Sequence, residues 1–394
     1  MLDTAGKKQT GTIGQQSMIV LLTLWLGHFA VDSFTGIWPI YKTLAGLDLV
    51  KAGLIATIGG FLGNALQILF GFLGDRGWSR ILISMGVLAA GSISLVSYVD
   101  TSNYFLMGIL VLLMYLGSSS FHPIGTGTAS TLSAQNAGKL TAVFLSGGFV
   151  GYAFSQLLYM KIYQATNGRT AGMMIFSIAV AALLFYQAPT PPRKTYSLRD
   201  VWVSTLGFRR PLAYLYIILV FAAGLNMAMV FLLPDLLQAK QASNWLVFGG
   251  GHMLMVMGGC TGLLPAGHLA DKYGPRQVML VGLVAMGTSI SLMSFFQGQN
   301  VMVLGVLLFL MGSTSSTCNV VGVAYGVRLM PQHARMVSGL LMGSAWGIAG
   351  VSTAIGGWLA DPKYGGSPDS AILWLTLAVP PALLICSPLP RTKK

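Results

Sequence analysis

Twelve apolar runs of close to 20 residues or more, separated by short polar breaks, occupy this chain between residues 17 and 388. A bilayer presents about 30 Å of hydrocarbon, and a helix rising about 1.5 Å per residue needs about 20 residues to cross it. Inside lipid the backbone must satisfy its own polar groups, which a helix does within one segment. The reading is an all-α membrane protein with spans at 17–41, 52–73, 81–99, 106–132, 140–163, 171–188, 212–234, 246–269, 278–296, 302–329, 337–358 and 371–388. Composition points the same way: 54% of residues are hydrophobic and 8% charged, a balance suited to a surface in lipid rather than in water.

Orientation follows from Lys and Arg. With both termini in the cytoplasm, the cytoplasmic segments carry Lys7, Lys8, Arg76, Arg80, Lys139, Arg193, Lys194, Arg199, Arg209, Arg210, Lys272, Arg276, Arg328, Arg335, Arg391, Lys393 and Lys394, 17 in all. The other side carries six: Lys42, Lys51, Lys161, Arg169, Lys240 and Lys363. This positive-inside bias accounts for most of the formal net charge of +13. It leaves no aromatic-interleaved basic patch for nucleic acid. The expected location is the inner (cytoplasmic) membrane, crossed many times. The first span follows a polar tail without a small-residue cleavage site, so it reads as retained. Cys260, Cys318 and Cys386 fall inside apolar runs at unrelated spacings, against a disulfide framework or a zinc site.

Two segments repeat one another: Gly71-Phe-Leu-Gly74-Asp75-Arg76-Gly-Trp-Ser-Arg80 and Gly267-His-Leu-Ala-Asp271-Lys272-Tyr-Gly-Pro-Arg276, with the aspartates 196 residues apart. At the same offset Gly147 and Gly151 match Gly343 and Gly347, and Lys139 matches Arg335; at 195, Pro39 matches Pro234. The chain therefore divides into a cytoplasmic tail (1–16), a six-helix half (17–188), a cytoplasmic linker (189–211), a second six-helix half (212–388) and a tail (389–394). In the linker, Ser197 and Asp200 fit a capped helix start, while Leu198, Val201, Trp202 and Leu206 share a face, as in an amphipathic helix on the membrane surface. An unstructured tether is the competing reading. Six plus six spans in parallel repeat place a solute site near the midplane between the halves.

The pattern Gly-x-Leu-Gly/Ala-Asp-Arg/Lys-x-x-x-Arg, present between spans two and three and again between eight and nine, resembles motif A of the major facilitator superfamily, and the resemblance covers essentially the whole chain. It implies a fold of two pseudo-symmetric halves and alternating access. In that family the motif Asp engages the positive N-terminal end of a helix in the opposite half together with a nearby Arg, by helix-dipole and charge-assisted bonding. Carried onto this chain, Gly71, Asp75, Arg76, Arg80, Gly267, Asp271, Lys272 and Arg276 are expected to gate rather than to bind solute. Charges that merely set topology would explain the basic residues but not the shared Gly-Asp spacing.

No glutamate occurs among the 394 residues, so acidic chemistry rests on ten aspartates, most of them in loops. Asp32 is the exception, near the middle of span one, where a carboxylate is costly unless it faces a cavity or a partner. His28 lies four residues earlier on the same helix face, about 6 Å away. His122, in Gly117-Ser118-Ser119-Ser120-Phe121-His122-Pro123 of span four, is the third ionisable group at such depth. Pro123 frees a carbonyl one turn back, and the serines can satisfy it in a local break. Spans one and four both line the cavity in the superfamily that the chain resembles, which implies that His28, Asp32 and His122 face one central cavity; for two His and one Asp at similar depth this outweighs ordinary packing. Elsewhere two readings stay open. Asn226 and Asn319 are solute contacts from the second half or polar glue between helices. Trp25, Trp38, Tyr152 and Trp346 line the pathway or serve as anchors and packing. His252 is either packing or proton handling, and Asp235, after Pro234, reads as a solvated helix end.

His28-Phe-Ala-Val-Asp32 together with Phe121-His122-Pro123 resembles the fosmidomycin-resistance type of bacterial efflux transporter. This chain departs from that type at Ile124, where an acidic residue commonly follows, and Gly147-Gly148-Phe-Val-Gly151-Tyr152 lacks the proline of the antiporter motif of many drug exporters. The resemblance implies export by proton antiport. No phosphate-binding Gly-x-x-x-x-Gly-Lys-Ser/Thr loop is present, so energy must come from a gradient. The leading reading is a monomeric, proton-coupled carrier of a small drug-like solute or organic anion such as a phosphonate, with no cofactor. Asp32, His28 and His122 are its proton-coupling residues, and His122, Ser119, Trp25, Tyr152, Asn226, Asn319 and Trp346 its solute contacts. The alternative makes His28, Asp32 and His122 ligands of a transported divalent cation, a sparse set without a thiolate or second carboxylate. An intramembrane enzyme is disfavoured, because no nucleophile is positioned beside a base.

Overall fold

The computed structural model describes residues 15–133, 137–189, 209–329, 337 and 339–390, and these are helices joined by short turns, with no strand among them. The linker helix expected from Ser197 to Leu206, Arg335, most of the N-terminal tail and residues 391–394 lie outside the described residues.

Eleven helical segments among the described residues are long and apolar enough to cross a membrane. One of them, Leu49–Tyr98, has 50 residues, which at about 1.5 Å each far exceeds one bilayer. It is divided at Gly74–Trp78, where Gly77 takes φ 98°, a left-handed conformation open to glycine at little cost. The resulting twelve spans are α1 (Gln15–Leu44), α2 (Leu49–Leu73), α3 (Ser79–Gly91, continued by a tighter turn to Tyr98), α4 (Tyr104–Thr131), α5 (Lys139–Ala165), α6 (Thr170–Gln187), α7 (Arg210–Ala239), α8 (Leu246–Tyr273), α9 (Pro275–Phe295), α10 (Val301–Leu329), α11 (Leu340–Ala360) and α12 (Pro368–Cys386).

Several boundaries move for identifiable reasons. Asp48 caps α2 by accepting from the Lys51 backbone N–H at 2.9 Å, so the helix starts before residue 52. A reciprocal Ser367/Ser370 capping box starts α12 before residue 371. Helix α1 runs on to Leu44, and α7 passes through Pro234 to Ala239.

The halves repeat their packing. In the first, α1 lies on α5, α2 on α4 and α3 on α4; in the second, α7 lies on α11, α8 on α10 and α9 on α10. The halves meet through the symmetry-related pairs α2–α11 and α5–α8. Small residues bring the backbones together, the usual packing device in lipid. A Cβ on Gly147 would sit 2.5 Å from the Trp25 carbonyl oxygen, and one on Gly151 would sit 2.2 Å from that of Phe29. Their repeat partners Gly343 and Gly347 instead face Gln67 and Asn64 of α2, across the boundary between halves. The repeated glycines thus serve packing inside one half and packing between halves.

Candidate functional site

Two histidines converge on one carboxylate. Asp32 and His28 occupy successive turns of α1, with His28 Nε2 3.3 Å from Asp32 Oδ2. Helix α4 brings His122 Nε2 to 3.2 Å from Asp32 Oδ1, so each carboxylate oxygen faces a different ring. The rings themselves meet edge to face at 4.9 Å.

The far nitrogen of each ring is tied to backbone. His28 Nδ1 donates to the Phe144 carbonyl at 2.9 Å, and His122 Nδ1 to the Ser118 carbonyl at 2.7 Å, with Ser118 Oγ at 3.1 Å. A carbonyl only accepts, so both Nδ1 atoms carry hydrogen and both Nε2 atoms are left facing Asp32. His28 is buried and stacked on Phe144 at 4.3 Å, whereas the Asp32 and His122 side chains keep 17% and 26% exposure. The cluster is thus closed on the α5 side and open at His122. Gly148 makes the closure possible: a Cβ there would lie 2.3 Å from His28 Nε2 and 2.5 Å from Asp32 Oδ2.

The serines near His122 divide their work. Ser118 bonds to His122, Ser120 Oγ donates to the Gly117 and Leu82 carbonyls and ties α4 to α3, and Ser119 is buried. Helix α4 runs through Pro123 without the break expected there. Trp25 donates from its indole to Ser146 Oγ at 3.0 Å and stacks on Phe29, joining α1 to α5. The Tyr152 carbonyl accepts from buried His252 Nε2 at 2.9 Å, a contact between halves, with the two rings edge to face at 4.6 Å. Asn226, Asn319 and Trp346 are half-buried in α7, α10 and α11, and Asn319 Oδ1 is enclosed without a hydrogen-bond partner among the described residues. Among the described residues no hydrogen bond or ion pair joins these three to the cluster. Trp38 is buried and donates to the Ala52 carbonyl, a packing role.

The duplicated motif residues lie at the other end of the bundle from Lys42. Asp75 and Arg76 sit in the α2–α3 turn, with the Arg76 guanidinium 4.4 Å over the Phe72 ring. Arg80 donates to the Ala188 carbonyl at the end of α6. Asp271 pairs with Arg328 of α10, Lys272 lies over Tyr273, and the Arg276 carbonyl approaches Cys386 Sγ. These contacts stay within their own halves. Gly71 packs on Pro123, and around Gly267 a Cβ would meet nothing within 4 Å.

One buried ion pair escaped the sequence reading. Lys42, assigned there to a loop, and Asp235, read as a solvated helix end, form an ion pair between α1 and α7 with Lys42 fully buried. Both helices run past their expected ends, which turns two loop charges into facing helix residues. A signal was available: opposite charges near the repeat-related Pro39 and Pro234, at matching ends of matching spans.

The imidazole and carboxylate atoms of His28, Asp32 and His122 lie within 4.8 Å of one another, the one group with metal-ligand spacing among the described residues. Three donors remain a thin set for a divalent cation.

Two six-span halves in pseudo-symmetric repeat, with a polar cluster within one of them, define a multi-pass membrane fold. Residues 20–352 and 240–389 match the family model of the Major Facilitator Superfamily. The chain is 23% identical over 367 residues to the uncharacterized MFS-type transporter YfnC of Bacillus subtilis, covering 87% of this chain and 86% of that one. It is 23% identical over 378 residues to the fosmidomycin resistance protein of Escherichia coli, covering 91% and 90%. The crystal structure of the nucleoside transporter NupG superposes with a TM-score of 0.71 at 13% identity, over 95% of this chain and 98% of that one. The chain belongs to the Major Facilitator Superfamily: it is a secondary transporter and not an enzyme.

Proposed function

We propose that this transporter couples proton movement to export of a small organic anion, and that His28, Asp32 and His122 are the proton site. The observation that carries the reading is the pair of Nε2 atoms aimed at the two oxygens of one carboxylate, with both Nδ1–H groups already committed to carbonyls. A proton between each nitrogen and oxygen makes these contacts charge-assisted hydrogen bonds. Removing it sets a nitrogen lone pair against a carboxylate oxygen, a repulsive arrangement. Proton occupancy therefore changes what the α1–α4 contact can tolerate, which is the requirement for coupling a proton to a movement of helices.

With its protons in place the cluster is cationic and attracts an anion approaching from the open His122 side. The resistance relative supports a phosphonate-like solute. Trp25, Tyr152 and Ser119 from the first half and Asn226, Asn319 and Trp346 from the second are the proposed solute contacts. Gly71, Asp75, Arg76, Arg80, Gly267, Asp271, Lys272 and Arg276 form the gate at the cytoplasmic face. The 17-to-6 distribution of Lys and Arg supports both termini in the cytoplasm. Two joined halves complete one pathway, so a monomer in the inner membrane is the working unit.

The test is Asp32→Asn in proteoliposomes under an imposed pH gradient, with fosmidomycin and small phosphonates as probes. The variant is expected to lose gradient-driven accumulation while keeping solute counterflow; full retention of coupling removes Asp32 from the mechanism. Calorimetry with divalent metals on the unaltered protein decides the cation alternative, which ends if there is no metal-dependent heat.

A further inference from the structure

The first span of each half carries one charge near its repeat-related proline, and the two charges are opposite. Lys42 follows Pro39 by three residues in α1, and Asp235 follows Pro234 directly in α7. Lys42 Nζ pairs with Asp235 Oδ2, lies 3.2 Å from Thr43 Oγ1 and sits 4.6 Å above the Phe231 ring. Thr43 Oγ1 donates to the other carboxylate oxygen, Oδ1, at 2.9 Å. Asp235 is therefore held by two neighbouring side chains of the opposite half.

Around this pair the halves are in backbone contact. A Cβ on Gly357 would lie 2.3 Å from the Leu49 carbonyl oxygen, one on Gly53 2.5 Å from that of Thr353, and one on Gly249 2.4 Å from the Leu157 nitrogen. All three contacts cross between halves toward the Lys42 end of the bundle. With this end shut, Lys42 is fully buried and Asp235 largely so.

We infer that Lys42 and Asp235 are the polar lock of this end, and that their being charged is what allows the lock to open. A buried ion pair gains in attraction roughly what its members lose in hydration. When the halves part, water reaches both charges and returns that hydration, so the open state is not heavily penalised. An apolar pair in the same place would have no such compensation, because parting would expose it to water. Removing one partner has the opposite effect: the remaining charge is buried alone and is relieved only by opening. This inference rests on alternating access, and needs neither the proton site nor a particular solute.

The lock predicts effects of opposite sign from variants at the same two positions. Spin labels at Gln164→Cys in the first half and Lys363→Cys in the second, in a cysteine-free background in lipid nanodiscs, read the separation of the halves at this end. Lys42→Met alone and Asp235→Leu alone should each raise the long-distance population on the order of tenfold. The double variant Lys42→Met/Asp235→Leu should fall below the wild-type population. The exchanged pair Lys42→Asp/Asp235→Lys should return toward the wild-type distribution. The inference is overturned if the single variants keep the wild-type distribution, or if the double variant opens this end as the single ones do. Should a single variant fail to fold, the double and exchanged pairs still decide it. The distances are measured without solute or pH gradient, so a failed Asp32→Asn test leaves the lock standing, and failure here leaves the proton site standing.

Discussion

Gly148 shows how much can depend on the absence of one methyl group. Its Cα faces His28 and Asp32 across the α1–α5 contact, and an added Cβ would enter the space of both side chains. The His28 ring cannot swing away cheaply, since its Nδ1 is held by the Phe144 carbonyl and its face by the Phe144 ring. Overpacking of this kind costs about 1–3 kcal/mol. Gly148→Ala is therefore expected to lower the thermal midpoint and to abolish pH-gradient-driven transport, measured by thermal unfolding in detergent and by flux into proteoliposomes. Gly127→Ala on α4, where a Cβ meets nothing within 4 Å, is the matched control and should change neither. Unaltered coupling in Gly148→Ala would show that the cluster's geometry does not matter to transport. From the sequence, the shared helix face of His28 and Asp32 was legible because it depends only on helical period. The closeness of His122 rested on a resemblance, and the place of Gly148 was not legible at all, since it depends on how near α5 comes to α1.

Among elements, the α2–α3 turn carries a local backbone constraint. Gly77 takes φ 98° where the chain reverses between two spans, and a side chain there meets the left-handed penalty of about 1 kcal/mol or more. Gly77→Ala should lower the unfolding midpoint by a few degrees, a shift of the size that about 1 kcal/mol produces. No change in midpoint would mean that the turn relaxes without strain. This turn also explains why helix length alone undercounts the spans: residues 49–98 run as one helical segment whose two apolar runs are parted by the polar motif, and the reversal resides in the Gly77 backbone. The twelve spans were readable from run length and the polar motif between runs. Helix ends were not, because caps such as Asp48 and Ser367 and the passage of α7 through Pro234 are local chemistry that hydropathy does not register. Lys42 and Asp235 were misplaced for that reason. Lys240 shows the same effect: counted as a topology charge, it is buried, pairs with Asp369 and donates to the Ser294 and Phe296 carbonyls, pinning α7 to the ends of α9 and α12.

For the whole molecule, the question is whether the halves part along α2–α11. Thr57 and Thr353 face each other there with hydroxyl oxygens 3.0 Å apart, and both also bond to backbone: Thr57 to the Gly350 carbonyl, Thr353 to those of Gly53 and Gly350. This polar stitch lies in the same inter-half surface as the tight Gly53 and Gly357 contacts. It joins elements nearly 300 residues apart in sequence, so no local pattern could announce it. Alternating access requires such a surface to open and close once per cycle, whereas a carrier with a fixed α2–α11 contact would have to admit solute elsewhere. Replacing both threonines by cysteine in a background free of Cys260, Cys318 and Cys386 sets two sulfurs where the hydroxyls met, close enough for a bond of about 2.05 Å after small rotations. Oxidation is expected to stop solute flux and reduction to restore it, while each single cysteine variant stays active under both conditions. Undiminished flux through the oxidised double variant would show that these two helices never separate, and would confine the opening movement to the α1–α7 and α5–α8 contacts.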